Sequence, residues 1–304
     1  MKVAVSGSSG FIGAHLLEDL GAQGHEVVRL VRPGGPSGSG TIRYDPDSGA
    51  IDAAAMEGLD AVVHLAGVGI ASRRWSGAHK KRVLESRVNG TSLLARALST
   101  LKQPPSVWLT ASAVGFYGDG GDEILTENSP SGDGFLAEVC RAWEGAAAPA
   151  RETGIRVVRL RTGTMVLSPS GGALQRILVP FRLGLGGRLG SGRQWWSWIS
   201  LDDELGAIRF LLDRAEISGP VNLTAPQPVT NEEFTRVLAR VLGRPALVAV
   251  PPLALRAGLG AQMADELLLW GQRAIPARLA EAGYDFHHAD LETTLRALLA
   301  RPAP

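Results

Sequence analysis

The 304-residue sequence predicts an α/β fold, a doubly wound parallel sheet followed by a smaller, mostly helical C-terminal domain. Three observations predict it. A strand, a glycine turn, a helix and a second strand fill the first 32 residues. Short β-branched strands and helical stretches then alternate as far as Gly163. Beyond Gly171 that rhythm gives way to helices.

The first unit carries the most information. Lys2–Ser6 is a brief β-branched run, suited to a strand buried on both faces. It meets Gly7-Ser8-Ser9-Gly10-Phe11-Ile12-Gly13, after which Phe11, Ile12, Leu16, Leu17 and Leu20 recur with helical spacing up to Gly21. Glu26–Val31 reads as the second strand. This is the βαβ unit of a Rossmann-type domain. A dinucleotide's pyrophosphate needs free backbone N–H groups at a helix start. Gly7 permits the tight turn, Gly10 removes a side chain that would block the phosphates, and Gly13 lets helix and strand approach. Ser9, Phe11 and Ile12 complete the expected cradle.

The end of the second strand selects the dinucleotide. An acidic residue there would hold the ribose 2′-hydroxyl of NAD. The sequence offers Val31 and Arg32, with Arg29 nearby. A guanidinium suits a 2′-phosphate, so NADP(H) is favoured over NAD(H). Pro33–Gly40 is a Pro, Gly and Ser loop beside this site.

Asp60–Gly67 is the next strand and turn, and places Leu65, Ala66 and Gly67 where ligands bind in such sheets. His64, inside the apolar run, reads as a core histidine before it reads as a catalyst. Ser72-Arg73-Arg74-Trp75 precedes a helix from His79 to about Thr100 carrying Lys80, Lys81, Arg82 and Arg87. Its positive charge has two readings, a solvated face or a phosphate contact from Arg87. Val107–Ser112 and Arg156–Arg161 are further strands.

Composition narrows the function. Hydrophobic residues make up 45% and charged residues 20%, an ordinary globular profile. The net charge of +1 gives no reason to expect nucleic acid or an acidic membrane as partner. The single cysteine, Cys140, excludes an intrachain disulfide. No run has the length of a membrane span and no signal peptide is legible, so a cytoplasmic protein is expected. No metal-ligand spacing occurs, and His287-His288 reads as a surface pair.

Several of these segments together resemble a known family. Gly7–Gly13, His64-Leu65-Ala66-Gly67, Ser86-Arg87-Val88 and Ala111-Ser112-Ala113 are similar to the extended short-chain dehydrogenases/reductases. Arg73-Arg74-Trp75, Gly115-Phe116-Tyr117-Gly118, Trp143-Glu144, Pro180–Gly187 and Trp198–Asp203 resemble its atypical, epimerase-like subgroup, which ends in a C-terminal domain of unknown function. The resemblance spans essentially the whole chain. It implies that Val31, Arg32, Leu65, Ala66, Arg87 and Met165 line an NADP cofactor, that the C-terminal part covers a small-molecule substrate, and that homodimers are common among relatives.

The family's usual chemistry uses a tyrosine with a lysine four residues later, which lowers the phenol's pKa. That pair is absent. The helix expected to hold it reads Phe135–Glu144 without tyrosine or lysine, and Tyr117 is followed four residues on by Gly121. Ser112 and Tyr117 are the weak catalytic candidates. Asp119, Asp122, Glu123, Glu127 and Glu138 read mostly as solvated loop charges. Cys140, where the lysine would stand, reads as a buried thiol or a nucleophile.

Residues 1–170 are expected to form the cofactor domain, with about 195–225 returning to it, and 171–304 the helical region. Trp195-Trp196-Ser197-Trp198, after a glycine-rich stretch, reads as an aromatic wall over a pocket or as packing. Asp202-Asp203 opens a helix, Pro220–Leu223 is a strand, and Thr230-Asn231-Glu232-Glu233 has the capping-box pattern. Helices follow at 253–259, 264–270, 277–282 and 291–300. The expected function is an NADP(H)-binding oxidoreductase or epimerase-like enzyme acting on a small molecule. The alternative is a non-catalytic NADP(H) sensor or scaffold.

Overall fold

The computed structural model describes residues 1–36 and 38–300. Ser37, within the Pro33–Gly40 loop, lies outside the described residues. The chain begins with β1 (Lys2–Ser6), α1 (Phe11–Ala22), β2 (Glu26–Val31), β3 (Thr41–Asp45), β4 (Ala50–Ile51), β5 (Ala61–His64), α2 (Gly77–Ser99) and β6 (Val107–Ala113). It continues through β7 (Ile124–Leu125), α3 (Phe135–Gly145), α4 (Ala148–Glu152), β8 (Arg156–Thr162), β9 (Met165–Leu167) and α5 (Gly172–Arg182). Next come β10 (Trp195–Trp196), β11 (Trp198–Ser200), α6 (Leu201–Asp213), β12 (Gly219–Leu223), β13 (Val229–Thr230) and α7 (Asn231–Leu242). The last elements are α8 (Pro252–Leu259), α9 (Ala261–Ala264), β14 (Arg273–Ala274), α10 (Ala277–Glu281) and α11 (Leu291–Ala300). The chain forms two compact units. One comprises Met1–Ser112, Val139–Leu160 and Leu205–Pro220; the other comprises Ala113–Glu138, Arg161–Glu204 and Val221–Pro304.

Eight strands make one sheet in the order β12-β8-β6-β5-β1-β2-β3-β4. The pairs β1–β2, β1–β5, β5–β6 and β2–β3 are parallel, and β4 is antiparallel to β3. Both faces are buried, which is why the strands read as continuous apolar runs. Ala4, Val28, Leu30, Ile42, Tyr44, Val62 and Trp108 meet Leu93, Leu94 and Leu98 of α2 in one core. Val3, Val5, Val63 and Leu109, at the alternate positions, are fully buried as well. Strand β3 is not legible in the sequence, because only Ile42 and Tyr44 of its five residues are buried and a glycine-rich loop precedes it.

The second unit has its own core of Met165, Leu167, Leu178, Phe181, Trp198, Phe234, Leu238 and Leu295. The capping box is present: Thr230 Oγ1 accepts a hydrogen bond from Glu233 N–H at 3.2 Å, and α7 ends at left-handed Gly243. The helix expected over 264–270 is present, starting earlier as α9 and continuing as a π-helical turn at Asp265–Leu269. Two-residue strands such as β7, β10 and β14 escape sequence analysis, since two residues carry no period.

Candidate dinucleotide site

The carboxyl ends of β1, β2 and β5 surround a cleft of about 290 Å³. Of the residues expected at the cofactor, Gly7, Ser9, Gly10, Val31, Arg32, Leu65, Ala66 and Gly67 line it, joined by Ser8, Arg29, Gly35 and Tyr44. Gly7 sits at φ +68°, and a Cβ there would lie 2.7 Å from the carbonyl carbon of Leu65. A side chain would push the first turn away from the β5 loop. Gly13 does not line the cleft; its role is closeness, since a Cβ on it would run into the backbone of Gly7. Phe11 and Ile12 form the first turn of α1 outside the lining. No side chain caps that helix start. Its leading N–H groups are therefore available to phosphate oxygens.

Charge agrees with shape. Among the described residues no carboxylate lines the cleft, whereas Arg29 and Arg32 do. Arg29 Nε donates to Ser8 Oγ at 3.2 Å, and the carbonyl of Arg32 accepts from Arg43 at 3.2 Å. Tyr44 is buried, its hydroxyl has no partner among the described residues, and burial holds its pKa well above the usual phenol range, with Arg32 opposing. The glycine cradle, the open helix start and the arginines fit a dinucleotide.

Arg87 stands behind the cleft wall rather than on it. It is buried, not solvated, and its Nη1 donates to the carbonyls of Val68 at 2.9 Å and Val83 at 3.1 Å. Its guanidinium lies under Gly67 and 4.9 Å from the Trp143 ring centroid, and burial lowers its pKa to about 10. Met165 is buried in the core of the second unit. His64 is a core histidine: Ser6 Oγ bonds its Nδ1, and burial lowers its pKa to about 3, so it stays neutral.

The two weak catalytic candidates are both engaged. In the first unit, Ser112 Oγ donates to Glu144 Oε1 at 2.8 Å, and Glu144 Oε2 pairs with Arg159 Nη1 at 3.2 Å. In the second, the buried Tyr117 hydroxyl donates to Asn222 Oδ1 at 2.7 Å and accepts from Arg161 Nη1 at 3.0 Å. Arg161 lies 3.5 Å over the Phe116 ring centroid. Burial raises the Tyr117 pKa, so this phenol is a poorer acid than a free one. Cys140 is buried. Glu127, expected in solvent, is buried and accepts the Asn222 N–H at 3.0 Å. Trp196 and Trp198 both belong to the core of the second unit, and Trp196 also lines a pocket of about 210 Å³ with Phe181 and Phe234.

Arg161, Asn222, Glu266 and Glu204 carry no local sequence signal for the partners they meet in the fold. Glu266 accepts the Phe135 and Leu136 N–H groups at 3.0 and 2.8 Å, capping the start of α3 across 130 residues of sequence. Glu204 is buried with only Thr162 Oγ1, at 2.8 Å, as partner for one oxygen, and burial raises its pKa to about 8. Because the folded-state pKa is the higher one, its contribution to stability is complete below pH 4.5 and is lost as pH rises through 8. The loss is up to about 1.4 kcal/mol per pH unit. Melting temperatures from pH 5 to 9 are expected to fall more steeply for wild type than for Glu204→Gln.

Fold and cleft together define a nucleotide-binding protein of the short-chain dehydrogenase/reductase superfamily. Residues 3–223 match the NAD dependent epimerase/dehydratase family, to which the chain belongs, and residues 250–298 match a domain of unknown function, DUF1731. The chain is 48% identical over 300 residues to the epimerase family protein Mb2239 of Mycobacterium bovis, covering 99% of this chain and 98% of that protein. A crystal structure of the human epimerase family protein SDR39U1 (isoform 2) with NADPH is 37% identical. It superposes with a TM-score of 0.90, over 99% of this chain and 100% of that one. The Thermus thermophilus UDP-glucose 4-epimerase, solved with NAD, shares the fold at 20% identity and a TM-score of 0.72, over 99% of this chain and 100% of its own. Among the described residues no helix is long and apolar enough to cross a membrane.

Proposed function

We propose that the protein binds NADP(H) in preference to NAD(H) and uses it in an oxidoreductase or epimerase-type reaction on a small molecule in the cytoplasm. The observation that carries this reading is the end of β2, where Arg29 and Arg32 line the cleft and no carboxylate does. The human relative's structure with NADPH supports it. When bound, the nicotinamide supplies hydride exchange. The chain's own residues do the rest. The Gly7–Gly13 turn and the α1 start receive the pyrophosphate, and the two arginines receive the 2′-phosphate. Ser112 donates its hydroxyl hydrogen bond to Glu144 Oε1. Its Oγ is therefore an acceptor for a substrate hydroxyl rather than a donor to a carbonyl.

Calorimetry with NADPH and NADH tests the cofactor reading. Wild type is expected to favour NADPH by about 1–3 kcal/mol, roughly 5- to 150-fold, and Arg32→Ala to lose most of that preference. Equal affinities in wild type overturn it.

One observation favours a second reading, a non-catalytic redox sensor. Helix α3 offers no tyrosine or lysine, and the Tyr117 hydroxyl is held between Asn222 and Arg161. A sensor requires a partner whose affinity differs between the NADP⁺ and NADPH forms. Equal affinity of a captured partner for both forms sinks this reading.

A further inference from the structure

We propose that the loop between β5 and α2 forms a second, anion-binding site that holds the phosphate or diphosphate of a small substrate beside the cofactor cleft. A cavity of about 390 Å³ opens there, lined by Arg73, Arg74 and Arg82 together with Ser72, Ser76 and His79. The proposal rests on the reading of the neighbouring cleft as the cofactor's.

From Ala61 to Leu84 the sequence contains Arg73, Arg74, Lys80, Lys81 and Arg82 and no acidic residue. No carboxylate lines the cavity. The next acid along the chain, Glu85, lies 3.7 Å from Lys81 and outside the lining. Arg73 and Arg82 are exposed and make no ion pair among the described residues. Three guanidinium groups around one cavity repel one another, and an anion between them reverses the sign of that interaction. A guanidinium fork matches phosphate oxygens two at a time, which a scattered surface charge does not.

The loop that presents the arginines is tied down along its length. Ser72 Oγ donates to the Gly69 carbonyl at 2.7 Å, Trp75 Nε1 donates to the Ile70 carbonyl at 3.1 Å, and Ser76 N–H donates to the Arg74 carbonyl at 3.0 Å. Ser76 Oγ accepts from His79 N–H at 3.1 Å and starts the 23-residue helix α2. A fixed loop loses little entropy when it closes on a ligand.

Leu65, Ala66 and Gly67 line the cofactor cleft, and the next residue, Val68, lines the arginine cavity. Val68 is pinned at both ends, its N–H to Ser86 Oγ at 3.1 Å and its carbonyl to Arg87 at 2.9 Å. One held residue thus divides the dinucleotide cleft from the arginine cavity, so an anion in the second would lie beside a cofactor bound in the first.

The test is calorimetric titration of pyrophosphate into the full-length protein at low salt, alone and saturated with NADPH. The expected result is binding in both states, weakened at least tenfold in the Arg73→Ala/Arg82→Ala double variant, with NADPH affinity unchanged. Pyrophosphate that NADPH displaces, or that binds the double variant as well as wild type, overturns the site. Affinity for phosphatidylserine vesicles without affinity for pyrophosphate also overturns it, assigning the arginines to a membrane surface. If NADPH itself does not bind, the cofactor reading fails, and the titration without it still decides the anion site.

Discussion

Gly13→Ala is expected to abolish measurable NADPH binding and to lower stability by about 1–3 kcal/mol or more. The physical reason is contact between backbones. A Cβ at Gly13 would meet the carbonyl of Gly7, lying 2.9 Å from its carbon and 3.1 Å from Ser8 Cα. Neither neighbour is the flexible end of a side chain. The helix has to back away from the turn, and the N–H groups proposed to hold the pyrophosphate move with it. At Gly21, in the same helix, an added methyl group would have no neighbour within 4 Å. Gly21→Ala is therefore expected to raise stability by roughly 0.5–1 kcal/mol and leave binding alone. Melting curves and calorimetry on the two variants check both statements. Equal behaviour of the pair would show that the close approach at Gly13 carries no weight.

Asp203→Ala is expected to cost about 3–5 kcal/mol, the second large effect. Asp203 is fully buried, and its carboxylate accepts the backbone N–H groups of His287 and His288, both at 2.9 Å, and the Ser200 hydroxyl at 2.9 Å. The Tyr284 hydroxyl donates to its backbone carbonyl at 3.1 Å. One side chain thus satisfies the segment that leads into α11. Alanine leaves two backbone donors without an acceptor. Denaturant unfolding is the measurement, and Asp203→Asn, which keeps one carbonyl oxygen, is expected to fall between. A loss below about 1 kcal/mol, the scale of a single ordinary hydrogen bond, would mean that the 284–288 segment finds other partners.

Asp203 also shows where sequence reading stops. Beside Asp202 it reads as a helix-start acid, favourable through the helix dipole. The structure turns it inward onto residues more than 80 positions away, and no local pattern announces that. The first βαβ unit is legible because its signal is local: a strand, three glycines and a helical period within 32 residues. Most of the cofactor lining follows from it. Arg29 and Arg32 can be found because the strand end has a defined place in such sheets. Tyr44 cannot, because it lies on a strand with two inward residues. Arg87 has two sequence readings, solvated or at a phosphate, and its burial against Trp143 overturns the first. Tyr117 stands out as one of three tyrosines, but its partners Arg161 and Asn222 are set by tertiary contact alone.

The sheet order bears on how this protein is made. Strand β8 ends at Thr162, and its outer neighbour β12 is complete only at Leu223, about 60 residues later. At a synthesis rate of about 5–20 residues per second, the outer edge of β8 waits roughly 3–12 s for its partner on the ribosome. An unpaired strand edge is a template for pairing with another chain. The moment of greatest aggregation hazard at this edge therefore falls during translation, before the strand that will cover it has been made.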